Sequence, residues 1–355
     1  MMLRVFRYAY GGAKVMALKS RLLTPEDYHF LLRVRTLDDF LGYLTATAYA
    51  PALAGWDWHR PDAEAEFSRR VYAELAQAFL KVGRGLPSRE RSFIAILAQR
   101  LVAENLKVVL RALHQGLPQA QAVQFLLPVS LLTPLNFPEL LNQGTVPALV
   151  KRLASTPWGP PLERGLPRYR REASLFPLEM SLDLNVFSSL WQGLAHLSAP
   201  DRRIAAGLLG GLTDLTNIIW TGRFREVYGF PGEEIYQYLI AAGSFRTMAR
   251  RRALAFAGGL EEMVAALADL PYGPLLAGAA NLADAEARLM RYWLQKLARV
   301  LAQPPFQIGL PITFLFLKEL EIGNLLTLMT GLLLKVPPER LAPLLQGWAP
   351  GGGHV

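Results

Sequence analysis

Apolar residues recur at helical spacing along nearly the whole chain, and a run of local signals divides them into helices. Over residues 13–23, Val15, Leu18, Leu22 and Leu23 share about one face. Thr24-Pro25-Glu26-Asp27 then predicts a helix start, with threonine as N-cap, proline in the first turn and acids facing the helix dipole. Thr36 followed by Asp39 predicts the cap of a short helix ending near Tyr49. Residues 62–80 read as a longer amphipathic helix. Another spans 89–114, capped by Ser88 and stopped by Gly116 and Pro118. Residues 125–138 are proline-rich and looser, and 158–179 form an insert carrying Pro160, Pro161 and Pro167. Long helices are expected at 182–197, 201–220, 284–301 and 311–335, then a short one at 341–345, with fraying at 349–355. No segment alternates as a strand does, so the expected class is all-α.

The pattern repeats. Tyr49, Trp158 and Tyr272 each lie 13 residues after the start of a similar box, at Thr36, Thr145 and Gly259. Each aromatic is followed two residues later by Pro51, Pro160 or Pro274. A second box opens on Asn105, Asn217 and Asn324 and closes on Pro118, Pro231 and Pro337. The aromatic-to-asparagine interval is 56, 59 and 52 residues. Two boxes recurring in register predict three related helical domains, 1–120, 121–240 and 241–355. The first-box prolines are expected to end a short helix, because proline cannot continue one. The aromatics have a large apolar face to bury against the next helix. The second-box prolines suit the first turn of a new helix. An asparagine inside an apolar helix in every copy needs a buried partner: a loop carbonyl or amide of its own domain, or a direct contact with another chain.

Two windows, 204–220 and 309–336, are apolar enough to raise the question of membrane crossing. Thr213, Asp214, Thr216 and Asn217 interrupt the first, and Lys318, Glu319 and Glu321 the second. A central charge is expensive in lipid, so both are expected to be buried helices of a helical protein.

Composition adds little to the fold. The 355 residues are 52% apolar and 19% charged, which excludes a disordered chain. The absence of cysteine excludes disulfides and thiolate chemistry. The net charge of +9 permits an anionic partner, nucleic acid, lipid headgroup or acidic protein alike. Its local clusters are Arg164, Arg168, Arg170 and Arg171, and Arg246, Arg250, Arg251 and Arg252; the plainer reading makes these solvated helix faces and ends.

Catalytic patterns fail one by one. Asp38-Asp39 lacks the further aspartate of a metal–diphosphate site and sits where a helix cap is expected. His29, His59, His114, His196 and His354 are far apart, without the short spacing of zinc ligands. Gly207, Gly210 and Gly211 lie inside a helical pattern with no following Lys-Ser/Thr, so they form no phosphate loop. No nucleophile elbow is present. An interaction protein without metal, cofactor or small-molecule substrate is the expectation.

The opening of the chain carries more specific information. Ala13-Lys14, Leu18-Lys19-Ser20-Arg21-Leu22-Leu23, Asp27-Tyr28, Leu44 and Thr47-Ala48-Tyr49-Ala50-Pro51 resemble the N-terminus of the C subunit, also called the d subunit, of the rotary V/A-type ATPases. Lys318, Glu319, Glu321, Ile322 and Asn324 resemble that family's C-terminal pattern; the second copy has Asp214 three residues before Asn217. The resemblance implies three similar helical domains in a funnel about a pseudo-threefold axis. It implies a non-catalytic central-stalk socket between the shaft subunits D and F and the membrane proteolipid ring, transmitting torque for ion transport. It also implies a peripheral place on the cytoplasmic face, in possible touch with the membrane surface and not with nucleic acid. On this reading Arg168, Arg170, Arg171, Arg246, Arg250, Arg251 and Arg252 face ring loops, lipid or an acidic shaft surface. The rival reading is a basic helical-repeat module for nucleic acid, which explains the charge and the repeats but not the apolar richness.

Overall fold

A computed structural model describes residues 2–60 and 62–346. The expected fraying at 349–355, and His354 with it, lie outside the described residues. Within them there are helices, turns and no strand, so the chain is all-α. Its contacts divide it into two compact units.

The first unit comprises the described chain up to Leu190 together with residues 314–346. It contains α1 (Met2–Lys19), α2 (Pro25–Leu31), α3 (Leu37–Leu44), α4 (Ala50–Leu53), α5 (Ala63–Arg84) and α6 (Ser88–Gln115). There follow α7 (Gln119–Ala122), α8 (Phe137–Leu141), α9 (Val146–Arg152), α10 (Gly159–Glu172) and most of α11 (Phe176–Gly193). The second unit, Trp191–Thr313, holds α12 (Ala199–Glu226), α13 (Gly232–Tyr238), α14 (Met248–Ala255), α15 (Leu260–Ala266), α16 (Tyr272–Leu276) and α17 (Leu282–Leu301). Helix α18 (Gly309–Leu333) starts in the second unit and contributes Phe314 onward to the first, followed there by α19 (Pro338–Leu341).

The start signals act as their chemistry dictates. Thr24 accepts from the Asp27 N–H while the Asp27 carboxylate accepts from the Thr24 N–H, a full capping box. Thr36, Thr145 and Asn281 cap α3, α9 and α17 with their side-chain oxygens. Ser88 is not a cap: Pro87 takes that place and Ser88 is the first helical residue. Helix α1 begins at Met2, well before the apolar periodicity implied, and runs straight through Gly11 and Gly12. Gly11 faces the end of α5, where a Cβ would stand 2.4 Å from the Gly85 carbonyl oxygen, so only glycine lets these helices touch.

Pro51, Pro160 and Pro274 correct the expectation made of them. Each sits in the first turn of the following helix, α4, α10 or α16, rather than closing the one before. The first-turn N–H has no intrahelical acceptor, so proline loses nothing there. Pro118, Pro231 and Pro337 stand one place earlier than expected, as N-cap residues of α7, α13 and α19 with φ of −58°, −69° and −59°. The insert at 158–179 is largely helical, with Pro167 inside α10.

In the first unit the core gathers between α5 and α6, where Phe40 meets Phe67 edge-on and Trp56 stacks on Phe67. In the second, α12 packs on α17, and Gly211 leaves the space that the Trp293 ring fills. Burying side chains of this size contributes about 1.5–3 kcal/mol each.

Candidate functional site

The three asparagines make one motif three times. The Asn105 side chain donates to the Leu127 carbonyl at 2.9 Å and accepts from the Leu127 N–H at 2.7 Å. Asn217 does the same to Ile240 at 3.0 and 2.8 Å, and Asn324 to Gln346 at 2.8 and 2.8 Å. Each amide thus stands in for a peptide group and pins the backbone 22 or 23 residues downstream. All three are buried. The turn between asparagine and clasp is also shared: Gly116, Gly229 and Lys335, each two residues before the second-box proline, adopt positive φ of 65°, 65° and 55°.

Two of the box aromatics, Tyr49 and Tyr272, bond to long asparagine-bearing helices. Tyr49 is fully buried and donates to Glu321 Oε1 on α18 at 2.7 Å. Lys318 Nζ donates to Tyr49 Oη at 2.9 Å and to Glu321 Oε1 at 2.7 Å, and lies 4.0 Å from the Tyr49 ring centroid. The Leu23 N–H donates to the other Glu321 oxygen. Burial first, and the Glu321 charge second, push the Tyr49 and Tyr28 phenols well above their usual value. In the second unit, Tyr272 donates to Asp214 Oδ2 on α12 at 2.9 Å, and Ser244 donates to the same carboxylate through its hydroxyl at 2.7 Å and its N–H at 2.8 Å. Burial pushes the Asp214 carboxyl up, against the pull of Ser244 and Tyr272.

These two joints match position for position. Asp214 lies three residues before Asn217, and Glu321 three before Asn324. A lysine charge stands near each carboxylate, hydrogen-bonded to Glu321 and acting on Asp214 only through space. Lys318 lies six residues before Asn324; six before Asn217 is Gly211, where a Cβ would stand 3.2 Å from Lys296 Nζ of α17. Lys296 is a half-buried amine drawn down by burial and up by Asp214. The other copy lacks both groups: Val102 stands three residues before Asn105, and the box aromatic is buried Trp158, which has no hydroxyl to donate. Two of the three copies thus set a tyrosine on a carboxylate. Sequence reading found the aromatics and the asparagines but not the pairing, because partners such as Tyr49 and Glu321 are 272 residues apart.

The arginine clusters divide in use. Arg168 and Arg171 pair with Glu172 at 2.7 and 3.1 Å, while Arg164 and Arg170 are exposed on the same helix. Arg250 pairs with Asp269 at 2.6 Å. Arg251 donates to the Phe245 and Arg246 carbonyls at 3.0 and 3.1 Å and lies over the Tyr236 ring, so it holds its own loop. Arg246 and Arg252 are exposed, the latter over the Phe256 ring. A further ionic set, which the sequence did not single out, joins α6 to α11. There Lys107 reaches Glu104 and Asp183 at 2.7 and 3.0 Å, and Arg111 grips Glu179 with two bonds.

Among the described residues no group of His, Asp and Glu is arranged to hold a metal ion, and no helix is long and apolar enough to cross a membrane. What the arrangement does is fasten helices at defined angles.

Residues 12–343 match the family model described as ATP synthase (C/AC39) subunit. The chain is similar to the C subunit of the A-type ATP synthase of Methanocaldococcus jannaschii, 23% identical over 95% of this chain and 86% of that protein. It is likewise similar to the A-type ATP synthase C subunit of Pyrococcus horikoshii, 24% identical over 95% of this chain and 90% of the relative. The protein of the same name from Thermococcus gammatolerans is 24% identical over 95% and 89%.

Proposed function

The chain belongs to the ATP synthase (C/AC39) subunit family, and from that premise we propose that it is the non-catalytic central-stalk socket of a rotary V/A-type ATPase. In this reading it joins the shaft subunits D and F to the proteolipid ring at the cytoplasmic face of the membrane. It turns with the ring and passes torque between ATP chemistry and ion movement. The observation that carries the proposal is the family match across residues 12–343, which takes in both compact units. The three asparagine clasps support the companion proposal of three repeats, 1–120, 121–240 and 241–355, in a funnel about a pseudo-threefold axis, although the first clasp, Asn105 to Leu127, runs past the bound at 120. Fastened helices suit a part that must transmit load without yielding.

The test is assembly. Tagged full-length chain is mixed with the D–F shaft and detergent-solubilised ring, and the proposal expects all three to elute together, with shaft and ring failing to associate when this chain is omitted. Association of shaft and ring without it overturns the proposal. Arg246 and Arg252 are the cations to reverse, because Arg250 and Arg251 already serve internal contacts. Loss of shaft or ring by Arg246→Glu/Arg252→Glu with unchanged folding identifies that cluster as contact surface. The nucleic-acid reading is tested by binding at rising salt, where phosphate contacts would give a steep loss of affinity.

A further inference from the structure

Beside the Tyr49 joint lies a cleft enclosing about 140 Å³, between the end of α1, the turn into α4, α5 and the first-unit part of α18. Pro51 and Phe314 supply apolar wall; Arg21, Lys81 and Lys318 supply three cations, and Glu74 one carboxylate. Lys318 is 8% exposed, with two of its three ammonium protons directed to Tyr49 and Glu321. Among the described residues neither Arg21 nor Lys81 has a carboxylate at ion-pair distance, a state they share with other surface cations of the unit such as Arg33 and Arg84. With Lys318 assigned to Glu321 and one cation to Glu74, a positive charge is left facing the cleft.

Size decides the ligand class. Pockets for drug-sized ligands enclose about 300 Å³ or more, so this cleft suits a small anion better than a whole nucleotide. A small tetrahedral oxyanion meets the one uncompensated positive charge and N–H donors of Arg21, Lys81 and Lys318, with which it gains charge-assisted bonds.

We propose that this cleft binds a phosphate group, with Arg21, Lys81 and Lys318 as its cations. The proposal stands on the cleft alone and is independent of the rotor reading. A phosphate group can arrive as free inorganic phosphate or as the exposed headgroup of a phosphatidic acid surface, and the experiment separates the two. Inorganic phosphate is titrated into the full chain at constant ionic strength against chloride, with binding read by calorimetry and by the unfolding temperature. Vesicles of phosphatidic acid and of phosphatidylcholine are offered separately in a sedimentation assay.

Saturable binding to free phosphate, or to phosphatidic acid and not phosphatidylcholine, is expected. Arg21→Gln/Lys81→Gln should weaken it about tenfold or more, the equivalent of about 1.4 kcal/mol. These two side chains make no internal ion pair, so the unfolding temperature without phosphate should not move. Glu74→Gln removes the one repelling charge on the wall and should tighten binding, a gain that misfolding cannot imitate. Phosphate acting no differently from chloride together with no vesicle preference overturns the proposal, as does equal affinity in the wild-type chain and the double variant.

Discussion

Replacing each clasp asparagine by leucine, of nearly the same shape, removes the amide without opening a cavity. At Asn217 the substitution deprives the Ile240 N–H and C=O of their partners, and Ile240 is only 5% exposed. Each stranded buried group costs about 1–3 kcal/mol, so Asn217→Leu should lose about 2–6 kcal/mol. At Asn324 water takes over the exposed Gln346 groups, but the side chain also hydrogen-bonds the buried Tyr28 hydroxyl, so one stranded group adds to the net worth of the two clasp bonds and the loss is again about 2–6 kcal/mol. Asn105, clasping half-buried Leu127, should lose less than either. The assay is urea unfolding followed by circular dichroism, with amide exchange at Ile240 and Leu127 to localise the loss. Asn105 and Asn324 lie in one compact unit, so their comparison is the sharper half. Equal losses at all three positions, or the largest at Asn105, would refute the view that stranded buried groups set the cost.

The tyrosine joints give a second test: Tyr49→Phe and Tyr272→Phe each remove a hydrogen bond to a carboxylate and should cost about 1.5–3 kcal/mol in the same unfolding assay. An unchanged midpoint in either would show that its tyrosine acts through ring packing alone. A third concerns pH. Burial holds the Asp214 carboxyl above its ordinary value, so the native state keeps its proton where the unfolded chain has lost it. Asp214 therefore favours the folded state below the ordinary carboxylate value near pH 4, and this contribution disappears as pH rises through the elevated folded value. Asp214→Asn should remove that part of the fall in unfolding temperature; a profile parallel to wild type from about pH 4 to pH 7 would count against it.

The class of fold could be read from the sequence because local rules decide it. Thr24, Thr36 and Thr145 announce their helices through side chains three residues from their targets. The ends were harder. Pro51 is compatible with closing one helix or opening the next, and periodicity could not choose between them. The first half of α1 was hidden by Gly11 and Gly12, whose poor helix propensity is overridden by the approach to Gly85. At the candidate site, the recurrence of Asn105, Asn217 and Asn324 signalled a buried partner, but its identity lies in a backbone 22 or 23 residues away. The Tyr49–Glu321 pair and the exchange of Lys318 for Lys296 beside Gly211 depend on which helices meet, which no local pattern encodes.

The return of α18 to the first unit sets an order of events on the ribosome. Tyr49 emerges early, yet the carboxylate that accepts its proton is made 272 residues later. At 5–20 residues per second the wait is on the order of tens of seconds. Through that interval the growing N-terminal part has no Phe314, Leu315 or Ile322 to cover it, although all three are buried once the chain is complete. The portion translated first is the portion finished last, and it passes its youth with an open seam that a chaperone would have reason to shield.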